Sequence, residues 1–288
     1  MLKRNLAAAG VAAIACAAAL TPAATAELVL PRVSPKATVS QTIGLTDMTL
    51  TYSRPGVKGR DIWGALVPHD KPWRTGANEA TTFTTSDEIT VAGQKLSAGT
   101  YSFFTIPSAG EWSVIFSRQK ELWGAFDYDP SQDQLRVTAK PTTGEHVEWM
   151  RLGFEDLSVN SANLVLRWEK MQLTVPIEVA VNDKVLASCR TEVTAAKADD
   201  WRTPMRAAGW CFDQTLNLDE AAGWLDKSMA VQQTYQNLSL KARWMMKDGK
   251  KKDALTTAKK AVEMGKASKE KVDTSGTEKL IADWTAAK

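Results

Sequence analysis

The sequence predicts an α+β protein of two domains: an antiparallel β-sandwich or jelly-roll-like domain followed by an α-helical repeat domain. Two patterns predict it. Between residues 36 and 180 apolar side chains recur at every second position, and from residue 199 onward they recur at every third and fourth. Turn signals cut the first stretch into eight or nine short runs, the number expected of a sandwich or barrel. The expected boundaries are a targeting segment at 1–26, a linker at 27–35, the β domain at 36–180, a connection at 181–198 and the helical domain at 199–288.

The first 26 residues read as a cleavable signal. Lys3 and Arg4 precede an apolar stretch over 6–20, Pro22 ends it, and Ala24-Thr25-Ala26 supplies the small-x-small pattern for cleavage before Glu27. The apolar stretch is short for a membrane span, which needs about 20 residues. Lipidation at Cys16 is the weaker alternative, because Ala13 fits poorly three positions before it. The expected location is periplasmic or secreted, with no transmembrane segment after signal removal.

Strands follow in order. Met48, Leu50 and Tyr52 alternate with Thr49, Thr51 and Ser53, and Tyr101, Phe103 and Thr105 with Ser102, Phe104 and Ile106. Trp112, Val114 and Phe116 alternate with Ser113, Ile115 and Ser117, and Leu173, Val175, Ile177 and Val179 with polar neighbours. Alternation sends one set to a core and the other toward solvent. Further strands are expected over 38–43, 81–85, 135–139, 147–154 and 163–168. Turns are expected at 44–47, 92–94, 107–110 and 169–170. Pro176 confines its strand to an edge, or to a place where the missing N–H faces solvent.

The later half is rich in alanine and poor in β-branched residues, which favours helix. Helices are expected over 201–214, 218–232, 234–248, 251–266 and 277–286. Glu220-Ala221 corresponds to Asp253-Ala254 at an offset of 33 residues, the spacing of helix–turn–helix repeats; a plain helical bundle is the alternative. Two units are fewer than the three that usually stand alone, so these helices should lean on the β domain or on a partner.

The formal charge of +3 falls to +1 once Lys3 and Arg4 are removed, so no general attraction to nucleic acid is implied. Eleven lysines and arginines against four carboxylates over 241–271 suit an acidic partner or a solvated helix face. Outside the signal, Cys189 and Cys211 remain, as a bridge in an oxidising compartment or as two thiols. His69 and His146 show no metal-ligand spacing, and no phosphate loop, nucleophile elbow or CxxC pair is present. No catalytic residue, metal or cofactor is therefore expected. Asp127 and Asp129 read first as turn residues.

Two segments stand above this background. One holds Arg54, Lys58, Arg60 and Trp63; the other is Trp73-Arg74-Thr75-Gly76-Ala77-Asn78-Glu79-Ala80. Arg offers a planar fork to carboxylate or phosphate, and Trp a flat apolar face. Together Arg54, Lys58, Arg60, Trp63, Trp73, Arg74, Asn78 and Glu79 form the candidate site for a small anion or sugar. The competing reading is a polar brace, with Arg74 paired to Glu79 and the tryptophans plugging the end of the sandwich.

The ordered run Tyr52-Ser53-Arg54-Pro55, Lys58-Gly59-Arg60, Trp63-Gly64, Val67-Pro68 and 73–81, continuing through Ala98-Gly99-Thr100-Tyr101-Ser102 to Glu111-Trp112, resembles a secreted bacterial family catalogued as domain of unknown function 2911. The resemblance covers about 34–180. It implies a secreted or periplasmic β domain, sometimes followed by tetratricopeptide-like helices, and no activity or ligand residue. The leading functional expectation is a non-enzymatic adaptor that binds another envelope protein through its helical tail. The alternatives are a carbohydrate or small-anion binder using the Arg/Trp/Asn/Glu loop, and a hydrolase using Glu79 or His69.

Overall fold

The computed structural model describes residues 30–120 and 122–286. The signal segment and Cys16 lie outside the described residues. From Ser34 onward the chain forms one compact unit.

Ten antiparallel strands make two sheets. The first holds β1 (Lys36–Ile43), β2 (Thr46–Ser53), β3 (Thr81–Thr85), β6 (Gly99–Ile106), β7 (Trp112–Ser117) and β8 (Asp133–Ala139), in that spatial order. The second runs β5 (Gln94–Leu96), β4 (Ile89–Val91), β10 (Ser161–Val179) and β9 (Thr142–Glu155). The alternation read from the sequence sets the packing. Met48, Leu50, Phe83, Phe103, Val114 and Phe116 of the first sheet meet Met150, Leu164, Leu166, Val175 and Ile177 of the second in one buried core. Phe83, Phe103 and Tyr101 each set an edge against the ring of Phe116.

Three features depart from expectation, and Pro176 meets the second of its two alternatives. The three-residue strands β4 and β5 form a hairpin around Ala92 and Gly93, both at positive φ, and are too short to show a period. The expected turn at 169–170 is instead the middle of β10, where register shifts and Glu169 at φ +55° absorb the irregularity in one long strand. Pro176 lies on an interior strand, but β9 pairing ends at Gln172 and β4 pairing begins at Ile177, so no ladder loses a donor. Residues 181–195, read as a connection, form the helix α1 (Val181–Ala195). Only Val181, Leu186 and Val193 are buried along it, too sparse a stripe to show the helical period.

The remaining helices match expectation closely: α2 (Arg202–Gln214), α3 (Leu218–Val231), α4 (Tyr235–Lys247), α5 (Lys251–Ala267) and α6 (Ser275–Ala286). Helices α2 with α3 and α4 with α5 pack as hairpins, and the starts Arg202 and Tyr235, like Leu218 and Lys251, lie 33 residues apart. A buried polar link joins the two hairpins. Asn237 donates to the Ser228 hydroxyl at 3.1 Å and to the Gln232 carbonyl at 2.7 Å, while Ser228 donates to the Trp201 carbonyl at 2.7 Å. The helices lean on the sandwich as their number suggested. Val181, Val185 and Trp210 pack on the β core, and Lys184 pairs with Asp87.

Candidate functional site

Residues 54–80 connect β2 to β3, and the segment 73–80 folds back on itself. Trp73 exchanges backbone hydrogen bonds with Thr105 at 2.8 and 2.9 Å, and its indole N–H donates to the Gly76 carbonyl at 3.1 Å. Thr75, fully buried at φ +49°, donates to the Trp73 carbonyl and to the Thr105 hydroxyl, and its own carbonyl accepts from Thr81 at 2.7 Å. Asn78, also at positive φ, reaches the Ser34 carbonyl at 3.3 Å. Irregular backbone must satisfy its polar groups, and these side chains do so locally.

The tryptophans of both segments join two from the strands. Trp63, Trp73, Trp112 and Trp168 pack as a box, with centroid distances of 4.9–5.8 Å. The indole nitrogens of Trp63 and Trp168 are buried there without a hydrogen-bond acceptor. Arg54 donates through Nε to the Met150 carbonyl at 2.8 Å, and Arg60 to the Gly56 and Val57 carbonyls at 2.6 and 3.1 Å. The Lys58 amide binds Glu148 Oε1, and its ammonium lies 5.6 Å over the Trp149 ring.

Arg74 stands apart. It is half-buried, its Nε has no hydrogen-bond partner, and it makes no ion pair among the described residues. Burial pushes its guanidinium below its ordinary value. The expected Arg74–Glu79 pair is not formed. Glu79 instead lines a cleft of about 310 Å³ on the outer face of the six-stranded sheet.

The sheet contributes hydroxyl residues to the floor of that cleft: Thr51 of β2 and Thr82 of β3 are partly exposed, while Ser53 of β2 and Ser102 of β6 lie buried beneath it. Lys36 and Glu79 flank it, and Tyr52, Ala80, Leu122 and Trp123 complete the lining. Trp123 is 61% exposed. Its backbone bridges to Glu79, and the Ala80 N–H donates to the Leu122 carbonyl at 2.9 Å, so the brace and the Trp123 loop hold each other.

That loop is anchored from beneath. Phe104 and Ile115, which alternation sent toward solvent, are fully buried against Ala80, Leu122, Ala125 and Tyr128. Tyr128 packs its ring on Phe104 at 5.1 Å, donates its hydroxyl to Asp133 at 2.9 Å, and accepts from Arg136 at 2.7 Å. Burial first, then the Asp133 hydrogen bond, push the Tyr128 phenol up to about 12. It therefore stays protonated at any ordinary pH. Asp129 caps the turn at Pro130–Gln132 through Ser131, which holds its carboxyl below its ordinary value.

A family profile described as a protein of unknown function (DUF2911) matches residues 34–177. The chain belongs to this family. Comparison with curated proteins and with solved structures gives no match. The matched stretch contains both the brace and the cleft and ends before α1, so the shared part of the family is the sandwich.

Within this family domain the eight expected site residues do not share one pocket. Glu79 lines the cleft, whereas Arg60 and Trp63 line a separate recess of about 460 Å³ with Asp61 and Glu169. Trp73 is core, and Arg54 and Asn78 bind carbonyls. His69 is exposed and makes no hydrogen bond or ion pair with Glu79. No cluster of three or more metal-ligating side chains exists among the described residues. Cys189 and Cys211 are free thiols, Cys211 pushed up to about 11 chiefly by burial and then by Cys189. Sequence reading missed Trp123, Lys36 and the hydroxyl floor. The signal was present: apart from Asp47 the non-core set of β2 and β3 is all hydroxyl, and an aromatic pair, Trp123 and Phe126, sits in a stretch with no period.

Proposed function

We propose that the protein is a glycan-binding protein of the periplasm or cell exterior, and that the cleft beside Trp123 is its site. The observation that carries this reading is an exposed indole standing beside a floor of neutral hydroxyls with one carboxylate and one ammonium at its edges. A sugar ring offers a C–H face for the indole and hydroxyls for Thr51 and Thr82, which donate or accept, for Glu79, which accepts, and for Lys36, which donates. Glu79 is the one carboxylate among the described lining residues, and glycoside hydrolysis ordinarily uses two, so the chemistry supports binding rather than cleavage. The test is affinity electrophoresis in gels containing neutral polysaccharides. Trp123→Ala should lose retardation by about tenfold in Kd, about 1.4 kcal/mol, with an unchanged melting temperature. Equal migration of both proteins in every gel overturns the proposal.

A second reading, the adaptor, is favoured by the 33-residue repeat of helical hairpins, a tetratricopeptide-like spacing. Lys252 and Lys259, both exposed on α5, would meet an acidic envelope protein. Charge reversal at both should abolish co-purification of such a partner and leave glycan binding intact; unchanged co-purification rejects the lysine face.

A further inference from the structure

The hydroxyl floor of the cleft is part of a larger lattice. Strand register aligns Thr38 with Thr51, Thr51 with Thr82, and Thr82 with Ser102, one row across β1, β2, β3 and β6. A second row, two residues along each strand, aligns Ser40 with Thr49, Thr49 with Thr84, and Thr84 with Thr100. The first row enters the cleft through Thr51, Thr82 and Ser102, and the second lies outside it. Neighbouring strands are about 4.8 Å apart and alternate residues on a strand about 6.7 Å apart. Each row therefore spans roughly 14 Å, longer than a single sugar ring, and the two together form a flat hydroxylated platform.

The hydroxyls are ordered. Thr38 and Thr51 lie 3.2 Å apart, Ser40 and Thr49 2.9 Å, and Thr84 and Thr100 3.0 Å, each pair within hydrogen-bond distance. A hydroxyl has one donor and two acceptor sites, so every paired member keeps capacity for a ligand. The platform is also neutral: both rows consist of Ser and Thr alone, with Lys36 beyond one end and Asp47 beyond the other. A charged macromolecule finds no run of opposite charge here. A polyol finds a matching grid whose Thr methyls remain available to its C–H groups.

Resting on the glycan-binding reading, we infer that the ligand is a polymer, an uncharged polysaccharide whose chain leaves the Trp123 cleft and lies over the second hydroxyl row. The occupant is fixed by complementarity and continuity: the neutral grid is continuous with the cleft floor through Thr51 and Thr82, which belong to both. The site then reads internal sugar units rather than a chain end, and affinity grows with chain length until the second row is covered.

The test uses the full chain without its signal segment and titrates cello-, chito- and malto-oligosaccharides of one to six units by calorimetry. It compares wild type, Trp123→Ala, and Thr49→Val/Thr84→Val, which removes two hydroxyls of the second row while keeping shape and strand propensity. For the series that binds, wild type should gain at least tenfold in affinity from the shortest binding oligomer to the hexamer. The double variant should lose that gain but keep affinity for the shortest binder, and its melting temperature should stay unchanged. Length-independent affinity in wild type, or a gain retained in the double variant, overturns the polymer inference while leaving the cleft standing. No binding to any oligomer at any length sinks the cleft reading and the inference with it. A wild-type dimer in sedimentation that the double variant dissolves assigns the platform to a second copy of the chain, and likewise overturns the inference.

Discussion

Two tryptophan-bearing loops meet on this sandwich and do opposite things. The loop of Trp73 turns its ring inward, 7% exposed, into a box with Trp63, Trp112 and Trp168. The loop of Trp123 leaves its ring 61% exposed beside a cleft. The charged and amide side chains of the first mostly cap carbonyls and fill turns. In the second, Arg118, Gln119 and Tyr128 spend their polar groups anchoring the loop, and the polar groups of the cleft come from the sheet beneath. Density of functional groups in a sequence segment thus marks where irregular backbone needs satisfying; a site also requires that the groups point at open space.

The comparison can be broken most severely at the box. Trp168 is 1% exposed and touches both Trp63 and Trp73. Trp168→Ala should cost about 3–5 kcal/mol, read as a large fall in the urea midpoint, whereas Trp123→Ala should leave it in place. Equal losses at both would erase the distinction.

Arg74 sharpens it next. A half-buried guanidinium with no partner is a liability if it is merely structural, and Arg74→Met keeps its bulk without its charge. The variant should be as stable as wild type or up to about 1–2 kcal/mol more stable. A loss of stability would show that the cation braces the loop. If phosphate or sulfate raises the wild-type melting temperature but not the variant's, Arg74 holds an anion.

Tyr128→Phe tests the other loop. It removes a hydroxyl shared by Asp133 and Arg136 but leaves that ion pair, at 2.8 Å, and the ring packing on Phe104. The expected cost is about 1 kcal/mol, with weaker glycan binding through a looser Trp123. Unchanged affinity would mean that the loop is held by its apolar contacts alone.

A smaller effect concerns the seam between sandwich and helices. Lys184 first, then Ser86, hold Asp87 below its ordinary value of 3.8. A depressed carboxyl contributes stability above its unfolded value and loses it as pH falls through the folded one. The protection of α1 amides, taken relative to their intrinsic exchange rate, should therefore fall below about pH 4, and Asp87→Asn should remove that acid sensitivity; protection indifferent to pH would show that apolar packing alone seats the helix. Smallest of all is the thiol response. Cys189 lines a groove between α1 and α2, so a maleimide should modify it in the native protein and leave buried Cys211 untouched. Labelling that begins only after reduction would reveal a bridge.

Much was legible in the chain itself. Period-two alternation located β2, β6, β7 and the second half of β10 and assigned their alternating sets, because a strand with one buried face must alternate. The recurrence at three and four, with an offset of 33, located α2 to α5 for the matching reason in helices. The family pattern over the sandwich was equally readable, since it is a property of residue order. What the sequence could not decide was where the second set of side chains goes. Phe104 and Ile115 occupy the same alternating positions as Thr82, yet the first two are covered and Thr82 lines a cleft. That choice depends on Leu122, Ala125 and Tyr128 folding back over Phe104 and Ile115, a tertiary contact between separate segments. Local periodicity records which way a side chain points, and only the tertiary structure decides whether another part of the chain is waiting there.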